Sequence, residues 1–175
     1  MSARVDVTLA DAPFDPGAEL SAFCMNAAGD GAVVSFVGLT RGQSGDGDEV
    51  ATLTLESYRG VTLASMRAIA DDAAARFAVG AIRVIHRAGT MQPGEPIVFV
   101  AASSPHRRVA FEAADYLMDR LKTEAIFWKR EDGVDGARWI EPTDDDARDR
   151  LRGLGHLHAL AAPPPRRRPL GFQGR

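Results

Sequence analysis

The sequence predicts an α+β domain built on a largely antiparallel sheet, and three observations point to this class. Segments rich in β-branched residues alternate along the chain with segments of helical hydrophobic period. Glycine-containing turns between neighbouring strand segments favour hairpins, which join antiparallel strands. The chain has 175 residues, 45% of them hydrophobic, which is enough to bury a core without disulfides or a metal. We therefore expect a single domain with two lobes over residues 1–152.

The first two elements are predicted to be a strand and a helix. Residues 5–9 alternate between apolar and polar side chains, as in a short strand. Asp15 and Pro16 supply an N-cap and a first-turn proline, so we expect a helix that runs to about residue 28 and is closed by Gly29.

A strand pair and a second helix are expected next. Residues 32–38 and 51–58 flank the glycine-rich segment 42–49, and this arrangement predicts an antiparallel pair. Residues 62–77 have the three-and-four spacing of an amphipathic helix. Its expected apolar stripe consists of Leu63, Met66, Ile69, Ala70 and Ala73.

Two more strands, at residues 81–87 and 97–103, are expected on either side of a turn at residues 93–94. A third helix is predicted to begin at Ser104 and Pro105 and to carry Lys122 near its end. Its expected apolar stripe consists of Val109, Ala113, Tyr116, Leu117 and Leu121.

The last elements are predicted to be a hairpin, a short helix and a tail. Residues 125–129 and 137–140 are expected to pair around a turn at residues 132–136. Residues 143–151 have acids first and arginines last, which suits a helix dipole. Residues 153–175 are rich in proline and arginine and lack an apolar face, so we expect a disordered tail.

Charge and cysteine content restrict the function. The net charge is −3, but residues 151–175 hold five arginines and no acid, which leaves 16 basic and 24 acidic residues in the first 150. A general nucleic-acid-binding surface is not expected on such a body. No apolar run approaches the ~20 residues of a membrane span. The lone Cys24, expected to be a small core residue, cannot form an intramolecular disulfide, so we expect a cytoplasmic protein.

The lysines stand out because the basic residues are 19 arginines and only two lysines, Lys122 and Lys129. Unlike arginine, a lysine can lose its proton and act as a base or nucleophile. One turn between the helix end and the next strand would bring both amines to one pocket, where nearby cations would lower a lysine pKa. The alternative is that both are ordinary surface lysines beside acids.

A second candidate site lies at the start of the third helix, where His106, Arg107 and Arg108 place three potential cations at the positive end of the helix dipole. Because backbone N–H groups there bind anions, we expect a phosphate group held by His106 and Arg107. The alternative is that the arginines extend to solvent or to acids elsewhere. Arg41 follows a predicted strand at the mouth of a glycine-rich loop, where binding residues often lie.

Metal and cofactor signals are weak. The glycine-rich segment 42–47 lacks the Gly-Lys-Ser/Thr ending of a phosphate loop, and its acids do not match a calcium loop. His86 is expected to be a surface or half-buried strand residue, and His156 and His158 are too sparse for a structural metal site. We assign no metal and no cofactor.

Several motifs together have a family likeness. They are Phe36-Val37-Gly38-Leu39-Thr40-Arg41, Leu55-Glu56-Ser57-Tyr58, Val84-Ile85-His86-Arg87-Ala88-Gly89, Ser104-Pro105-His106-Arg107, Leu121-Lys122-Thr123 and Phe127-Trp128-Lys129-Arg130-Glu131. In order and spacing this set resembles the large, catalytic subunit of molybdopterin synthase. The likeness runs over about residues 4–150.

The resemblance implies a sulfurtransferase of molybdenum cofactor biosynthesis with an α/β-hammerhead-like fold. That family inserts two sulfurs into cyclic pyranopterin monophosphate and so forms the dithiolene of molybdopterin. The sulfur comes from a thiocarboxylate on the C-terminal glycine of a small ubiquitin-like subunit, and two large subunits pair so that the assembly is a heterotetramer. An acidic enzyme with a cationic pocket and no usable thiol is compatible with imported sulfur.

The resemblance also implies roles for particular residues. Lys122 matches the essential lysine, and Lys129 matches a second lysine of the same pocket. Substrate-pocket positions are matched by Leu39, Thr40, Arg41, His106, Arg107, Arg130 and Glu131. The resemblance leaves open whether His106 and Arg107 act within one chain or across the dimer.

This chain departs from the family at Leu39 and Ser57, where a basic residue and a histidine are common, so a contact from Leu39 would involve its backbone.

Two other functions compete with the one that the resemblance implies. One is a non-catalytic adaptor that grips the tail of a ubiquitin-like partner, with Lys122 as a carboxylate clamp. The other is a phosphoesterase or nucleotide-binding enzyme, against which the lack of a phosphate loop counts.

Overall fold

In the computed structural model, residues 2–44, 47–57, 60–125, 127–133 and 136–140 are described, with the backbone alone at 128–129 and 137–140. Within these residues the chain forms three helices and eight strands. In chain order they are β1 (Arg4–Ala10), α1 (Pro16–Asn26), β2 (Ala32–Leu39), β3 (Val50–Ser57), α2 (Val61–Arg76), β4 (Ala81–Arg87), β5 (Gly89–Met91), β6 (Pro96–Ser104), α3 (Arg107–Glu124), β7 (Phe127–Gly133) and β8 (Gly136–Ile140). The helix predicted at 143–151 and the tail predicted at 153–175 lie outside the described residues.

The strands form two four-stranded sheets. The first sheet has the order β1-β4-β6-β2, and the second has the order β5-β3-β7-β8. All pairs are antiparallel except β1 and β4, which are parallel. The predicted α+β class with a largely antiparallel sheet is confirmed. None of the helices in the described part of the chain is long and apolar enough to cross a membrane.

The central strands of the first sheet, β4 and β6, carry buried residues on both faces, which explains the near-continuous apolar sequence of β6. On one face, Val84 and Val100 join a core with Met66 of α2 and Leu117 of α3. The opposite face carries a smaller core that includes Phe99 and is covered by α1. Its buried members are Phe23, Ala81, Ile85, Phe99 and Ala101. Alternate residues of β4 and β6 therefore belong to different cores.

The local signals for α1 and for the last hairpin are confirmed. Asp15 caps α1 by accepting hydrogen bonds from the backbone N–H groups of Gly17 at 2.8 Å and Ala18 at 3.3 Å, and Pro16 is the first helical residue. Strands β7 and β8 pair as predicted, with Gly133 opposite Gly136.

The second sheet buries Leu53 and Leu55 of β3 and Met91 of β5, against which Ile97 and Phe127 pack. Ile97 and Phe127 also pack on the larger core of the first sheet. These two side chains therefore tie the sheets together near the start of β6 and the start of β7.

The predicted antiparallel pair between residues 32–38 and 51–58 is wrong. Strand β2 pairs along its length with β6, and β3 pairs with β5 and β7 in the other sheet. The segment between β2 and β3 contains an isolated bridge between Gln43 and Glu49. Short sequence separation favoured a hairpin, but β3 buries its apolar side chains only in the second sheet, so burial outweighed proximity.

Some predicted burial is also wrong. Cys24 is exposed, because α1 turns a single narrow face centred on Phe23 toward the sheet and the next residue is rotated by about 100°. Leu63 is 41% exposed and its neighbour Thr62 is buried in its place, whereas the other four predicted members of the α2 stripe are buried. The three-residue strand β5 has too few residues to show a strand period in the sequence.

Candidate active site

Lys122 lies exposed in the last turn of α3. The helix forms because its apolar stripe is buried against both the sheet and α2, with Ala113, Leu117 and Leu121 among the buried residues. A lysine near a helix C-terminus is favourable, because the negative end of the helix dipole lies there.

An ionic network fastens this last turn to α2. Arg120 of α3 forms ion pairs with Asp72 of α2 at 3.0 Å and with Glu124 at 2.6 Å. The Tyr116 hydroxyl donates a short hydrogen bond to Asp72 and accepts one from Arg120. Burial and the bond to Asp72 raise the pKa of Tyr116, so the phenol stays protonated as a donor. The backbone that carries Lys122 is thus held by partners outside its own helix.

The strand after this helix end carries three more candidates. Strand β7 begins three residues after α3 ends, and the Lys129 backbone lies opposite Leu55 of β3. Arg130 and Glu131 follow at the next two register positions. The Arg130 guanidinium forms an ion pair with Asp132 at 3.3 Å.

The residues Leu39 to Arg41 follow the end of β2, where the register with β6 shifts between Gly38 and Leu39. Leu39 is exposed, Thr40 is buried, and Arg41 is exposed at the edge of an open cavity of about 590 Å³. The backbone of Thr40 is tied to the turn before β6: its N–H donates to the Glu95 carbonyl at 2.9 Å, and its carbonyl accepts from the Gly94 N–H at 2.8 Å.

The direction of α3 brings Lys122 and Arg41 to the same end of the domain. The helix begins directly after β6 and packs along β6 and β2, so it runs back antiparallel to β6. Its 18 residues span about 27 Å, close to the roughly 30 Å of the nine residues of β6. The end of α3 therefore lies toward Pro96, opposite which β2 ends with Leu39. We call this region the Lys122 end.

His106 and Arg107 lie at the opposite end of the same helix. Both are exposed, and Arg107 is about 22 Å along the helix axis from Lys122. The structure of one chain therefore does not bring them to the Lys122 end. Arg108, the third cation of this turn, lies 3.8 Å from Glu112, so for that residue the alternative of an acidic partner holds.

Sequence reasoning missed a buried polar cluster beside the Lys122 end. Arg87, the last residue of β4, is 4% exposed and forms an ion pair with Glu95 at 3.0 Å. The sequence signal for this cluster was weak, because β4 also carries Arg83 and His86 and a third polar side chain at its end does not stand out as buried.

His86, next to Arg87, links the two sheets. Its ring is half-buried as expected and stacks on Phe127, with ring centroids 4.3 Å apart and an interplanar angle of 30°. Nδ1 donates to the Arg87 carbonyl at 3.0 Å. Burial lowers the pKa of His86 to about 4, which outweighs the opposing effect of that hydrogen bond, so the ring is neutral at pH 7.

The described ranges contain no group of three or more His, Cys, Asp or Glu side chains placed to hold a metal ion. The Lys122 end offers an exposed amine at the end of a helix fixed to α2, an exposed guanidinium, and an open cavity lined by residues 41–44. This combination suits an anionic ligand and an amine-dependent reaction.

Comparison with known proteins identifies similar chains. The family described as MoaE protein matches residues 9–124. A molybdopterin synthase catalytic subunit from Caulobacter vibrioides is 51% identical over 146 residues, which are 83% of this chain and 95% of that protein. A solved molybdopterin biosynthesis MoaE protein from Burkholderia ambifaria is 36% identical, with a TM-score of 0.68 over 86% of this chain and 98% of that one. A complex of subunits 1 and 2 of molybdopterin-converting factor from Helicobacter pylori, 17% identical, shares the fold with a TM-score of 0.62 over 81% of this chain and 91% of that chain.

Proposed function

Because the chain belongs to the MoaE family and is, like its relatives, an enzyme of molybdenum cofactor biosynthesis, we propose the following reaction for it. It inserts two sulfurs into cyclic pyranopterin monophosphate and forms the dithiolene of molybdopterin. Each sulfur comes from the C-terminal glycine thiocarboxylate of a small ubiquitin-like subunit, whose glycine is left as a carboxylate. The observation that carries this proposal is that the end of α3, with Lys122, and the end of β2, just before Arg41, lie toward the same end of the domain.

In this proposal the Lys122 amine acts on the reacting groups, and Lys129 supplies a second amine from β7. Arg41 binds substrate phosphate by a charge-assisted contact, and Arg130 and Glu131 contribute from β7 of the second sheet. Leu39 contributes its backbone, because its exposed side chain has no polar atom, and Thr40 is the pocket position that joins it to Arg41. The carrier subunit docks with its tail at the Lys122 end. The related protein from Caulobacter vibrioides is a catalytic subunit by name, which supports a second, partner subunit.

A second copy of the chain completes the site in this proposal. His106 and Arg107 lie too far from Lys122 to act with it in one chain. Strand β2 is an edge strand, and it carries exposed apolar side chains that include Phe36 at 44% exposure. If two copies pair antiparallel through β2, Ala32 of one lies opposite Leu39 of the other. Since Ala32 pairs with Ser104, the start of α3 in one copy then approaches the Lys122 end of its partner. Two such chains and two carriers form the heterotetramer.

Turnover tests the reaction. The purified chain is mixed with thiocarboxylated carrier and the cyclic pterin, and dithiolene formation is followed together with complex formation. We expect product from the wild-type chain and none from Lys122→Ala or Lys122→Arg, because guanidinium keeps the charge without a usable lone pair. Arg67→Ala, on the exposed face of α2, is the matched control. Complex formation without product would identify a non-catalytic adaptor. Normal turnover in Lys122→Arg would show that Lys122 contributes only a positive charge.

Complementation tests the shared site. Lys122→Ala and Arg107→Ala chains are each expected to be inactive alone. If the site is built across two copies, an equal mixture contains mixed dimers with one intact site each, and about a quarter of wild-type activity returns. No recovery after subunit exchange, with mixed dimers demonstrated by mass, would place both residues in one chain's own site.

We place the reaction in the reducing cytoplasm, where an exposed thiol such as Cys24 stays unpaired.

A further inference from the structure

We propose that Arg87 and Glu95 form a clamp, buried on its Arg87 side, that positions Arg41 for substrate through the backbone of Thr40. This inference rests on the proposed function, in which Arg41 binds the anionic pterin. Arg87 and Glu95 are positioning residues in it, since they act through Arg41. We use "the clamp" for the Arg87–Glu95 ion pair together with the turn at residues 92–95.

The first part of the clamp is an ion pair between the end of β4 and the turn before β6. The Arg87 side chain is 5% exposed, and its Nη1 donates to Glu95 Oε2 at 3.0 Å. Nη2 lies 3.5 Å from the Thr90 carbonyl. A guanidinium this deeply buried depends on its partner, because removal of one member of a buried pair leaves an uncompensated charge.

The second part is the turn itself. Glu95 Oε2 also accepts a hydrogen bond from the backbone N–H of Gln92 at 3.0 Å, and the Glu95 N–H donates to the Gln92 carbonyl at 3.1 Å. The Gln92 N–H and the Arg87 guanidinium hold the pKa of Glu95 below its usual value, so the carboxylate is charged at neutral pH. Gly94, with φ of +86°, allows the turn its left-handed residue. One carboxylate oxygen thus closes the turn and anchors it to β4.

The third part joins the turn to Thr40 and so to Arg41. Two backbone hydrogen bonds connect Thr40 with Gly94 and Glu95, as described above, and they hold Thr40 from both its N–H and its carbonyl. Thr40 is 4% exposed, so its position is set by packing as well as by these bonds. The next residue, Arg41, is exposed and forms no ion pair with any residue in the described part of the chain. The direction of Arg41 therefore follows from the backbone of Thr40, which the clamp fixes.

A purely structural ion pair makes a different prediction from a positioning clamp. A structural pair changes the free energy of unfolding, and its loss affects substrate affinity equally whether Arg41 is present or absent. A positioning clamp changes substrate affinity only while Arg41 is there to be positioned, so the two substitutions are non-additive.

The chain offers a matched control for the clamp. Glu19 and Arg83 form a comparable ion pair at 3.1 Å between α1 and β4, and the carboxylate exposures are similar, 30% for Glu19 and 35% for Glu95. Glu19→Gln removes the same kind of charge on the face of the sheet covered by α1. It therefore reports the general effect of losing an ion pair.

The experiment compares Glu95→Gln, Arg41→Ala, their double variant and Glu19→Gln in the assembled enzyme. We expect Glu95→Gln to raise KM for the cyclic pterin about tenfold, the effect of one charge-assisted contact, with kcat within about twofold. In the Arg41→Ala background Glu95→Gln should have no further effect, and Glu19→Gln should leave KM unchanged. An unchanged KM in folded Glu95→Gln, or an equal loss without Arg41, overturns the clamp.

Two further measurements keep the test decisive. Gly94→Ala strains the turn without touching the ion pair, since a Cβ there meets open space, so it serves if Glu95→Gln does not fold. Amide hydrogen exchange at Thr40 should be faster in either variant than in Glu19→Gln, and unchanged exchange overturns the clamp. This readout does not depend on turnover. Failure of the wild-type chain to make product would instead count against the proposed function.

Discussion

Acidification should destabilise this protein through His86, at a pH where carboxylates are still charged. The ring is stacked on Phe127 and neutral in the folded state, with a pKa of about 4 against 6.5 for an unperturbed histidine. The unfolded chain therefore binds a proton that the folded chain does not bind between these values. A depressed histidine pKa gives stability that is complete above pH 6.5 and is lost as the pH falls toward 4.

The magnitude follows from the size of the pKa shift. At 1.36 kcal/mol per unit, the full effect is about 3 kcal/mol, and about 2 kcal/mol of it is lost by pH 5, less to the extent that water reaches the half-buried ring. That is a large fraction of the free energy of unfolding of an ordinary domain. Because Phe127 begins the strand that carries Lys129, this loss of stability also affects the Lys122 end.

Urea unfolding at pH 5, 6, 7 and 8 measures the effect, at one protein concentration because the chain self-associates in our proposal. His86→Phe is the control, since it keeps an aromatic ring against Phe127 but cannot bind a proton. We expect the wild-type free energy of unfolding to fall by about 2 kcal/mol more than that of His86→Phe between pH 8 and pH 5. Parallel curves would show that the histidine titrates normally in the folded protein, and the reasoning from burial would be wrong.

Three other predictions concern the helices and the tail. Tyr116→Phe should lower the free energy of unfolding by about 1–2 kcal/mol in urea titration, because Asp72 and Arg120 lose a buried partner; no change would mean that water replaces the hydroxyl. Cys24→Ala should transfer sulfur at the wild-type rate, because in our proposal the sulfur comes from the small ubiquitin-like subunit, and loss of transfer in a folded protein would indicate a persulfide relay. Truncation after Arg152 should leave turnover and carrier affinity unchanged, and an affinity loss confined to low salt would reveal an electrostatic arm.

Features that depend on near neighbours along the chain could be predicted from the amino-acid sequence. Asp15 and Pro16 mark the start of α1, the turn signals mark the β7–β8 hairpin, and hydrophobic period marks α3 with Lys122 near its end. Each of these signals acts within about four residues, through a cap, a turn or one helical repeat. The family resemblance rests on the same short motifs, and the family is confirmed.

The pairing of strands and the contacts between distant residues depend instead on how the layers pack. Strand β2 lies beside β6, 57 residues further along the chain at the Leu39–Pro96 position, and not beside β3. The Arg87–Glu95 pair, the stacking of His86 on Phe127 and the exposure of Cys24 depend equally on what packs opposite each side chain. So does the 22 Å or so that separates Arg107 from Lys122. Burial is a property of the assembled layers, and a local pattern states that a residue is apolar or charged without stating what it will face.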